Sequence, residues 1–186
     1  MKRAARWILS IAVIAAVTHL VAILILPRAL MTLIVFKVSS EANGANQLYL
    51  PDRITSNSRK IVRPAPDLAY AICAYDLSDG PVIATLNASE TYSSLSVFAN
   101  NTDNVFAIND RAVTGDFSSV FLSSEDSEVT PPADAIAVKV PSNSGLILWR
   151  RVITSNADWP RADAARREVT CTPYHSKVSP VLAPES

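Results

Sequence analysis

The feature that most constrains this chain is an apolar run of about twenty residues near its start, Trp7 to Leu26. At about 1.5 Å per residue, a helix of this length crosses a hydrocarbon core of about 30 Å. Lys2, Arg3 and Arg6 precede the run, and Trp7 suits the membrane interface. The run therefore predicts a transmembrane helix over residues 7–26, in contact with the lipid bilayer, with the N-terminus in the cytoplasm.

A cleaved signal peptide is the alternative interpretation of the same run. Signal peptides have an apolar core of about 7–15 residues, followed by a small-x-small site. This run is longer, and Pro27–Met31 offers no such site, so we expect a retained anchor over residues 1–38. Within it, Ala29–Val38 either lies along the outer interface or extends the helix past Pro27. His19 is either a neutral imidazole or a contact with a partner helix.

Charge is divided unevenly along the chain. All 17 acidic residues follow residue 38, whereas five of the 17 basic residues precede it, which leaves the rest of the chain with a net charge of −5. An acidic domain repels phosphates, so nucleic acid is not the expected partner. Glycine is scarce, at four residues, and neither G-x-G-x-x-G nor G-x-x-x-x-G-K occurs. A nucleotide-binding loop is therefore not expected either.

Strand signals recur at short spacing after a small, polar tether over residues 39–60. The strongest is Ala69–Leu77, whose side chains alternate between two faces and which ends at the turn of residues 79–81. We expect Tyr70, Ile72 and Ala74 on one face, and Ala71, Cys73 and Tyr75 on the other. The turn predicts a hairpin with a second strand at Val82–Leu86. Further strands are expected at residues 92–98, 105–108, 117–122, 135–140 and 146–153.

Seven short strands with polar turns predict a mainly β domain over residues 61–173, an antiparallel β-sandwich or jelly-roll-like domain. One C-terminal helix is expected to open at Asp158-Trp159-Pro160 and to run to about Val169. Residues 174–186 are polar and contain proline, and we expect a flexible tail there.

Two motifs of this domain resemble those of a known bacterial family. They are Arg63-Pro64-Ala65-Pro66-Asp67-Leu68-Ala69-Tyr70 and Asp76-Leu77-Ser78-Asp79-Gly80-Pro81, followed by Tyr92–Ser96, Asn101–Asn104 and Asp110-Arg111. The family is one of uncharacterised exported or membrane-bound proteins, whose larger members carry this domain ahead of a second uncharacterised domain. The resemblance covers roughly Leu48–Cys171 and is closest to the short, membrane-anchored branch. It implies a β-rich fold and an envelope location, and no established activity. Ala65 and Ser93 depart from the family pattern, where relatives often have a polar and an aromatic residue.

The candidate site residues are polar groups on rigid or turn-forming segments. Arg63 and Asp67 flank two prolines that fix φ near about −65°. They either present a guanidinium and a carboxylate to a ligand or lock the start of the strand. Asn100–Asn104 is rich in oxygen and forms either a calcium site or a turn in which Asn and Asp bond their own backbone. The predicted ligand-binding residues are Arg63, Asp67, Tyr70, Asn101, Asp103, Asn104 and Arg111.

Cys73 and Cys171 are the only cysteines. Outside the cytoplasm two cysteines indicate a disulfide, and the alternative is a pair of buried thiols. His175 is the only histidine after the anchor. A serine nucleophile would lack a base and a zinc ion would lack ligands, so we expect no metal and no cofactor.

Together these features predict a non-enzymatic, single-pass protein of the bacterial inner membrane, whose acidic periplasmic domain binds a partner or a small ligand. The alternative is a carboxylate-dependent hydrolase with a site near Arg63 and Asp67, in which Asp76, Asp79 or Asp103 would converge with Asp67.

Overall fold

The computed structural model describes residues 2–55, 57–59 and 63–175. Its first element is one continuous helix, α1 (Lys2–Glu41), with Pro27 inside it. Of the two placements open for Ala29–Val38, the structure therefore has the extension of the first helix. Every side chain over residues 7–26 is exposed, whereas Met31 and Val38 are buried. Of the predicted tail, residues 176–186 lie outside the described residues.

Nine strands occur in the described residues after α1. They are β1 (Leu48–Tyr49), β2 (Leu68–Asp76), β3 (Val82–Asn87), β4 (Ser93–Ala99), β5 (Asn104–Asn109), β6 (Phe117–Ser124), β7 (Ala135–Val140), β8 (Ser144–Val152) and β9 (Cys171–Pro173). The mainly β prediction is confirmed, and all seven predicted strands are present. β1 and β9 are additional; with two and three residues, they are too short to show an alternating pattern. β1 lies within residues 39–60, the segment predicted as a tether.

The strands form two sheets. The five-stranded sheet is antiparallel, with the order β1-β2-β8-β4-β5. The four-stranded sheet has the order β7-β6-β3-β9, and β6 and β7 run parallel in it. The expectation of a wholly antiparallel arrangement is wrong at this pair. The connection over residues 125–134 is long enough to bring the chain back to the start of β6, where Ala135 pairs with Ser119.

The predicted hairpin across residues 79–81 is also wrong, because β2 and β3 belong to different sheets. Both edges of β2 are filled by other strands, β1 and β8. The turn itself forms: Gly80 has φ +126° and donates its N–H to the Leu77 carbonyl. It carries the chain from one sheet to the other.

One buried cluster contains side chains from both sheets. In β2 the predicted alternation holds, with Ala71, Cys73 and Tyr75 buried and Tyr70 and Ile72 half-buried. A disulfide joins Cys73 of β2 to Cys171 of β9, with an S–S distance of 2.01 Å, and so links the two sheets. At 25 cal/mol per Å² or so, burial of this shared cluster is the main stabilising term of the domain.

The predicted C-terminal helix is confirmed as α2 (Trp159–Glu168). Pro160 lies in its first turn, where a missing N–H leaves no bond unmade. Arg166 and Arg167 lie in the last turn, where positive charge interacts favourably with the negative end of the helix dipole. The helix connects β8 to β9 and contacts β2 and β8. Its Ala162 is fully buried.

Candidate functional site

Three of the predicted site residues lie together at the start of β2. Arg63 and Asp67 are exposed and Tyr70 is half-buried. The Tyr70 hydroxyl accepts the backbone N–H of Ala65 at 3.0 Å, and the Asp67 carbonyl accepts the N–H of Ile153 at 2.8 Å. No ion pair joins Arg63 to Asp67. Backbone hydrogen bonds therefore hold the proline-rich segment at the start of β2 and leave both charged groups open to solvent.

Arg111 lies at the same end of the five-stranded sheet, in a 3₁₀ turn (Asp110–Ala112) that follows β5. Its backbone N–H donates to the Asn109 side chain at 3.1 Å, and its own side chain is exposed. The strands β8 and β4 lie between β2 and β5. Three strand spacings, or about 14 Å, therefore separate Arg111 from Tyr70.

Asn101, Asp103 and Asn104 lie at the opposite end of the sheet, in the turn from β4 to β5. The Asp103 N–H donates to Asn101 Oδ1 at 3.1 Å, and the Asn104 amide faces the carbonyl groups of Val97 and Phe106. Thr102 has φ +74°. These bonds make the segment a turn of the self-bonded kind. No cluster of metal-ligating side chains occurs in the described ranges.

The seven predicted residues therefore do not form one site. β4 is seven residues long, so about 20 Å separates its two ends. The structure brings together Arg63, Asp67 and Tyr70 and places Arg111 farther along the same end. Asn101, Asp103 and Asn104 belong to the other end.

The predicted site residues do not include the two that stand out chemically at the first end, Arg150 and Arg151 of β8. In the sequence these arginines, next to Trp149, fit ligand stacking, core packing and surface solubility equally well. They are adjacent in a strand, so their side chains point to opposite faces of the sheet. Arg151 pairs across the sheet with Ser93 and with Ala69, which belongs to the buried cluster. An arginine pair after an apolar strand carries no signal of burial in the sequence, and only the sheet register reveals it.

Arg151 lies on the core side and is 3% exposed. Its Nη2 is 3.7 Å from Asp158 Oδ1, and its Nε donates to Ser89 Oγ at 3.4 Å. Among the residues that the structure describes, its Nη1 has no hydrogen-bond acceptor, and the buried hydroxyls of Thr91 and Ser93 likewise lack partners. A buried guanidinium normally has all its donors satisfied, so this position has unused capacity to donate hydrogen bonds.

Asp158 is the counter-charge of Arg151. A hydrogen bond from the Thr154 backbone N–H, 3.1 Å from Oδ2, is the main cause that holds the pKa of Asp158 below its ordinary value of 3.8. Burial opposes this effect, and the Arg151 guanidinium supports it. Asp158 therefore stays ionised at neutral pH and fixes Arg151 from the side of α2.

Arg150 lies on the outward face of the sheet, half-buried, between Tyr70 and Ser94 of the neighbouring strands. One of its Nη atoms donates to Ser96 Oγ at 3.0 Å, while its Nε and the Ser94 hydroxyl are buried without a partner. Asn109 of β5 continues this row across the sheet. We call Tyr70, Arg150, Ser94 and Asn109 the outer row; it presents a cation flanked by hydroxyl groups.

The chemistry open to the outer row is binding rather than bond breaking. Its unused groups are donors, which an anionic oxygen or an ordered water satisfies. The row contains no carboxylate and no histidine, and the Tyr70 hydroxyl already accepts the N–H of Ala65.

A second polar cluster surrounds Arg166 of α2 and is structural. Arg166 is buried, donates to the carbonyl groups of Pro51 and Tyr70, and pairs with Asp163. Its guanidinium lies 5.0 Å from the centre of the Trp159 ring. The cluster fastens the segment after β1 to α2. A hydrogen bond from Arg167, supported by Arg166 and opposed by burial, lowers the pKa of Asp163.

Comparison with known families now identifies the kind of domain that this architecture represents. The chain belongs to the family described as "Protein of unknown function (DUF1254)", whose model matches residues 45–173. The match begins just after α1 and includes all nine strands and α2. The resemblance found in the sequence is therefore correct at the level of the family.

Two crystal structures resemble this chain, and only the first does so closely enough to show a shared fold. One is of a protein from Vibrio parahaemolyticus, with a TM-score of 0.62 and 15% identity over 79% of this chain and 35% of that one. The other is of an uncharacterised protein from Burkholderia cenocepacia, with a TM-score of 0.49 and 14% identity over 86% and 43% of the two chains. This chain thus spans about a third of the first structure. The comparison with curated proteins finds no match.

Proposed function

We propose that this protein is a single-pass membrane protein of the short, anchored branch of its family, and that its β domain is a binding module held at the membrane. The observation that carries this proposal is the difference in burial along α1, whose first part is exposed on every side whereas Met31 and Val38 near its end are buried. All side chains over residues 7–26 are exposed, and the helix is long and apolar enough to cross a membrane. A surface this apolar needs lipid to cover it.

The continuity of α1 supports a retained anchor over a cleaved signal peptide. The helix runs on for fifteen residues after Leu26, to Glu41. Met31 and Val38 of this extension are buried, and α1 contacts β1, β2 and β8. Cleavage after the apolar run would cut the helix that packs against the domain.

The disulfide supports a periplasmic location for the domain. Disulfides persist in oxidising compartments and are rare in the cytosol, and Cys73–Cys171 is bonded. Lys2, Arg3 and Arg6 favour a cytoplasmic N-terminus. Together they favour the inner membrane, with the N-terminus inside and the domain outside.

We also propose that the two sheets pack face to face as a β-sandwich, because the buried cluster draws on both of them and the disulfide joins them. In this arrangement the outer row lies on the face of the five-stranded sheet away from the core. Its outward-facing, half-buried position and its buried donors without a protein partner support the binding of an anionic group, such as a carboxylate or phosphate of a partner or small ligand.

The carboxylate-dependent hydrolase receives no comparable support. Asp67 precedes β2 and Asp76 ends it, which separates them by roughly 30 Å along the strand. The Asp76 carboxylate accepts hydrogen bonds from the N–H and hydroxyl of Ser78. Such a distance is far beyond the separation of about 5–10 Å that paired carboxylates need.

Membrane attachment is tested by extraction of cell membranes with alkaline carbonate. The full-length chain is expected to stay in the pellet at its full mass. A variant with Leu20→Lys and Leu24→Lys is the control and is expected in the soluble fraction, because two charges in mid-span prevent insertion. A mature chain that lacks residues 7–26 would contradict the proposal.

Orientation is tested with one added cysteine at a time, since both native cysteines are bonded. The exposed positions Ala4 and Ser155 form a matched pair. A maleimide that cannot cross the inner membrane is expected to label Ser155→Cys in intact cells and to leave Ala4→Cys unlabelled. The reverse pattern would place the domain in the cytoplasm.

Anion binding at the outer row is tested with inorganic phosphate as the probe. Phosphate is expected to raise the unfolding temperature of the native chain and to have no such effect on Arg150→Gln. Arg161→Gln is the control, because that arginine is exposed on α2 and pairs only with Glu90. An equal phosphate effect in all three chains would argue against the outer row as the anion site.

A further inference from the structure

The extension of α1 is fixed to the domain at two points. Thr32 Oγ1 lies 3.4 Å from Asn100 Oδ1, at the end of β4. Beyond the helix, the Asn46 side chain bonds both the N–H and the carbonyl of Asp76 at 2.8 Å, at the end of β2. The Asn46 N–H also donates to the Ala74 carbonyl. Fourteen residues thus cross the end of the sheet from β4 to β2, and the segment predicted as a tether is packed against the domain over this part.

The packed face of the extension contains Met31 and Val38, each 5% exposed. They are seven residues apart and so lie on the same side of the helix. On β2, Ala74 is 1% exposed although its neighbours Cys73 and Tyr75 already fill the core side. Burial of both faces of β2 at this end is explained by α1, which contacts β2 there.

The other face of the extension is apolar and uncovered. Leu30, Leu33 and Phe36 are 48%, 65% and 74% exposed, and they line a groove that ends at Lys37, Ser40 and Glu41. We call Leu30, Leu33 and Phe36 the apolar stripe. It follows the exposed apolar surface of residues 7–26 on the same helix, after the half-buried Pro27 and the exposed Arg28, whose guanidinium donates to the Leu24 carbonyl at 2.8 Å.

The length of this combined surface matches a whole bilayer. From Trp7 to Phe36 the helix rises about 44 Å, whereas a bilayer with its headgroup layers measures about 40–45 Å. Trp7 lies at one limit, and the polar residues 37, 40 and 41 lie at the other. The occupant of the apolar stripe is therefore the same bilayer that surrounds residues 7–26.

We propose that the domain does not swing on a tether but is fixed to the bilayer surface, with the turn from β4 to β5, residues 100–104, in the headgroup layer. This proposal rests on the membrane attachment proposed above. Thr32 lies about 9 Å along the helix from Leu26, near the depth of the headgroups. Since α1 crosses the sheet end from β4 towards β2, its membrane part leaves the domain on the side of β4 and β5. The turn next to Thr32 is thus the part of the domain nearest to the lipid.

The composition of the turn suits this location. Asn100, Asn101, Thr102 and Asp103 offer hydrogen-bonding groups and no large apolar side chain, and Thr102 and Asp103 are exposed. The outer row lies toward the opposite end of β4, about 20 Å away along the strand. The anion-binding groups therefore stand clear of the lipid, where a soluble ligand or a periplasmic partner reaches them.

The test uses the full-length chain in liposomes of phosphatidylethanolamine and phosphatidylglycerol, with a fluorophore on one added cysteine. Thr102→Cys reports on the turn, and Arg111→Cys, at the other end of β4 and β5, is the matched control. A nitroxide carried on the lipid headgroup is expected to quench the label at residue 102 severalfold more than the label at residue 111. Equal quenching at both positions, or none at either, in protein that floats with the liposomes would overturn the fixed orientation and leave membrane attachment standing.

Two further variants separate the causes. Val38→Asp disrupts the packed face and is expected to abolish the quenching difference while the chain still floats with the liposomes. A label at Phe36→Cys is expected to be quenched by a nitroxide on the lipid headgroup, because Phe36 lies farther from Leu26 than Thr32 does. Disulfide-linked dimers of Phe36→Cys instead would assign the apolar stripe to a second copy of the chain and overturn lipid as its occupant. Failure of the native chain to float would count against the proposed function itself.

Discussion

Gly145 of β8 lies directly opposite Tyr75 of β2. A Cβ atom at this position would be 2.5 Å from the Tyr75 hydroxyl oxygen and even closer to the Phe98 carbonyl. The Tyr75 ring is fully buried, and burial raises the pKa of its hydroxyl. A tyrosine in the core here depends on the absence of a side chain on the next strand.

Gly145→Ala is therefore expected to destabilise the domain by about 3 kcal/mol or more, at the upper end of the cost of overpacking. The measurement is urea unfolding of the full chain in detergent, followed by tryptophan fluorescence. Gly115→Ala is the control: it has φ +77° but open space around its Cα, so it is expected to cost only about 1 kcal/mol. Equal costs at the two glycines would show that close packing is not the reason for Gly145.

Arg166 and Arg167 both bond the carboxylate of Asp163, but the Arg166 side chain is buried and the Arg167 side chain is exposed. Comparing their substitutions therefore measures how burial affects the contribution of an arginine to stability. Arg166→Ala leaves the Pro51 and Tyr70 carbonyl groups without donors and is expected to cost about 2–4 kcal/mol. Arg167→Ala is expected to cost less than about 0.5 kcal/mol, since its side chain is 58% exposed. The same urea experiment measures both, and a similar loss in the two variants would contradict the structural role given to Arg166.

At the scale of elements, the disulfide fastens the short strand β9 to β2 across two sheets. β9 has only three residues and pairs with β3 alone, so its backbone bonds hold it weakly. The helix α2, which leads into β9, adds the hydrogen bonds of Arg166 to the Pro51 and Tyr70 carbonyl groups and its contact with the Trp159 ring. These contacts hold the C-terminal part of the domain against β2 and the segment after β1.

Reduction of the Cys73–Cys171 bond is expected to destabilise the domain by about 4–5 kcal/mol in the chain-entropy account, because the bond closes a loop of 98 residues. The measurement is the urea midpoint with and without reductant. The double variant Cys73→Ser/Cys171→Ser is expected to match the reduced chain and to show no response to reductant. No change on full reduction of the native chain would refute a stabilising role.

At the scale of the whole molecule, α1 has an exposed apolar part, residues 7–26, and a last part that packs partly against the domain. Its first part faces outward on all sides, and its last turns share their surface between the domain and the exposed apolar stripe. If the proposed membrane attachment holds, removal of residues 2–26 is expected to release the chain from the membrane. The exposed apolar stripe is then expected to make the released chain associate. Exposed apolar surface of this kind drives association.

The chain that begins at Pro27 is expected in the soluble fraction and to elute as oligomers or in a detergent complex on size-exclusion chromatography. Leu33→Ser/Phe36→Ser in the same truncated chain is expected to elute as a monomer. Monomeric behaviour of the truncated chain without these substitutions would show that the apolar stripe needs no cover.

Much of this molecule follows from local sequence patterns. Helix, strands and turns depend on periodicity, chain length and turn residues, which neighbouring residues carry, so α1, α2 and the seven longer strands are predictable. The apolar run of about twenty residues likewise predicts a helix long enough to span a membrane. The cysteines also indicate their bond, because only two are present.

The pairing of strands and the candidate site were decided by tertiary structure. No residue near 79–81 indicates that β1 and β8 pair with the two edges of β2. Because both edges are paired, the turn leads to the other sheet. Arg150 and Arg151 likewise acquire their roles from register, which sends one side chain to the outer row and buries the other beside Asp158. Local periodicity is enough to specify which segments are helix and strand, and which helix is long and apolar enough to cross a membrane. Which polar groups meet follows from the fold instead, because it depends on contacts between residues far apart in the chain.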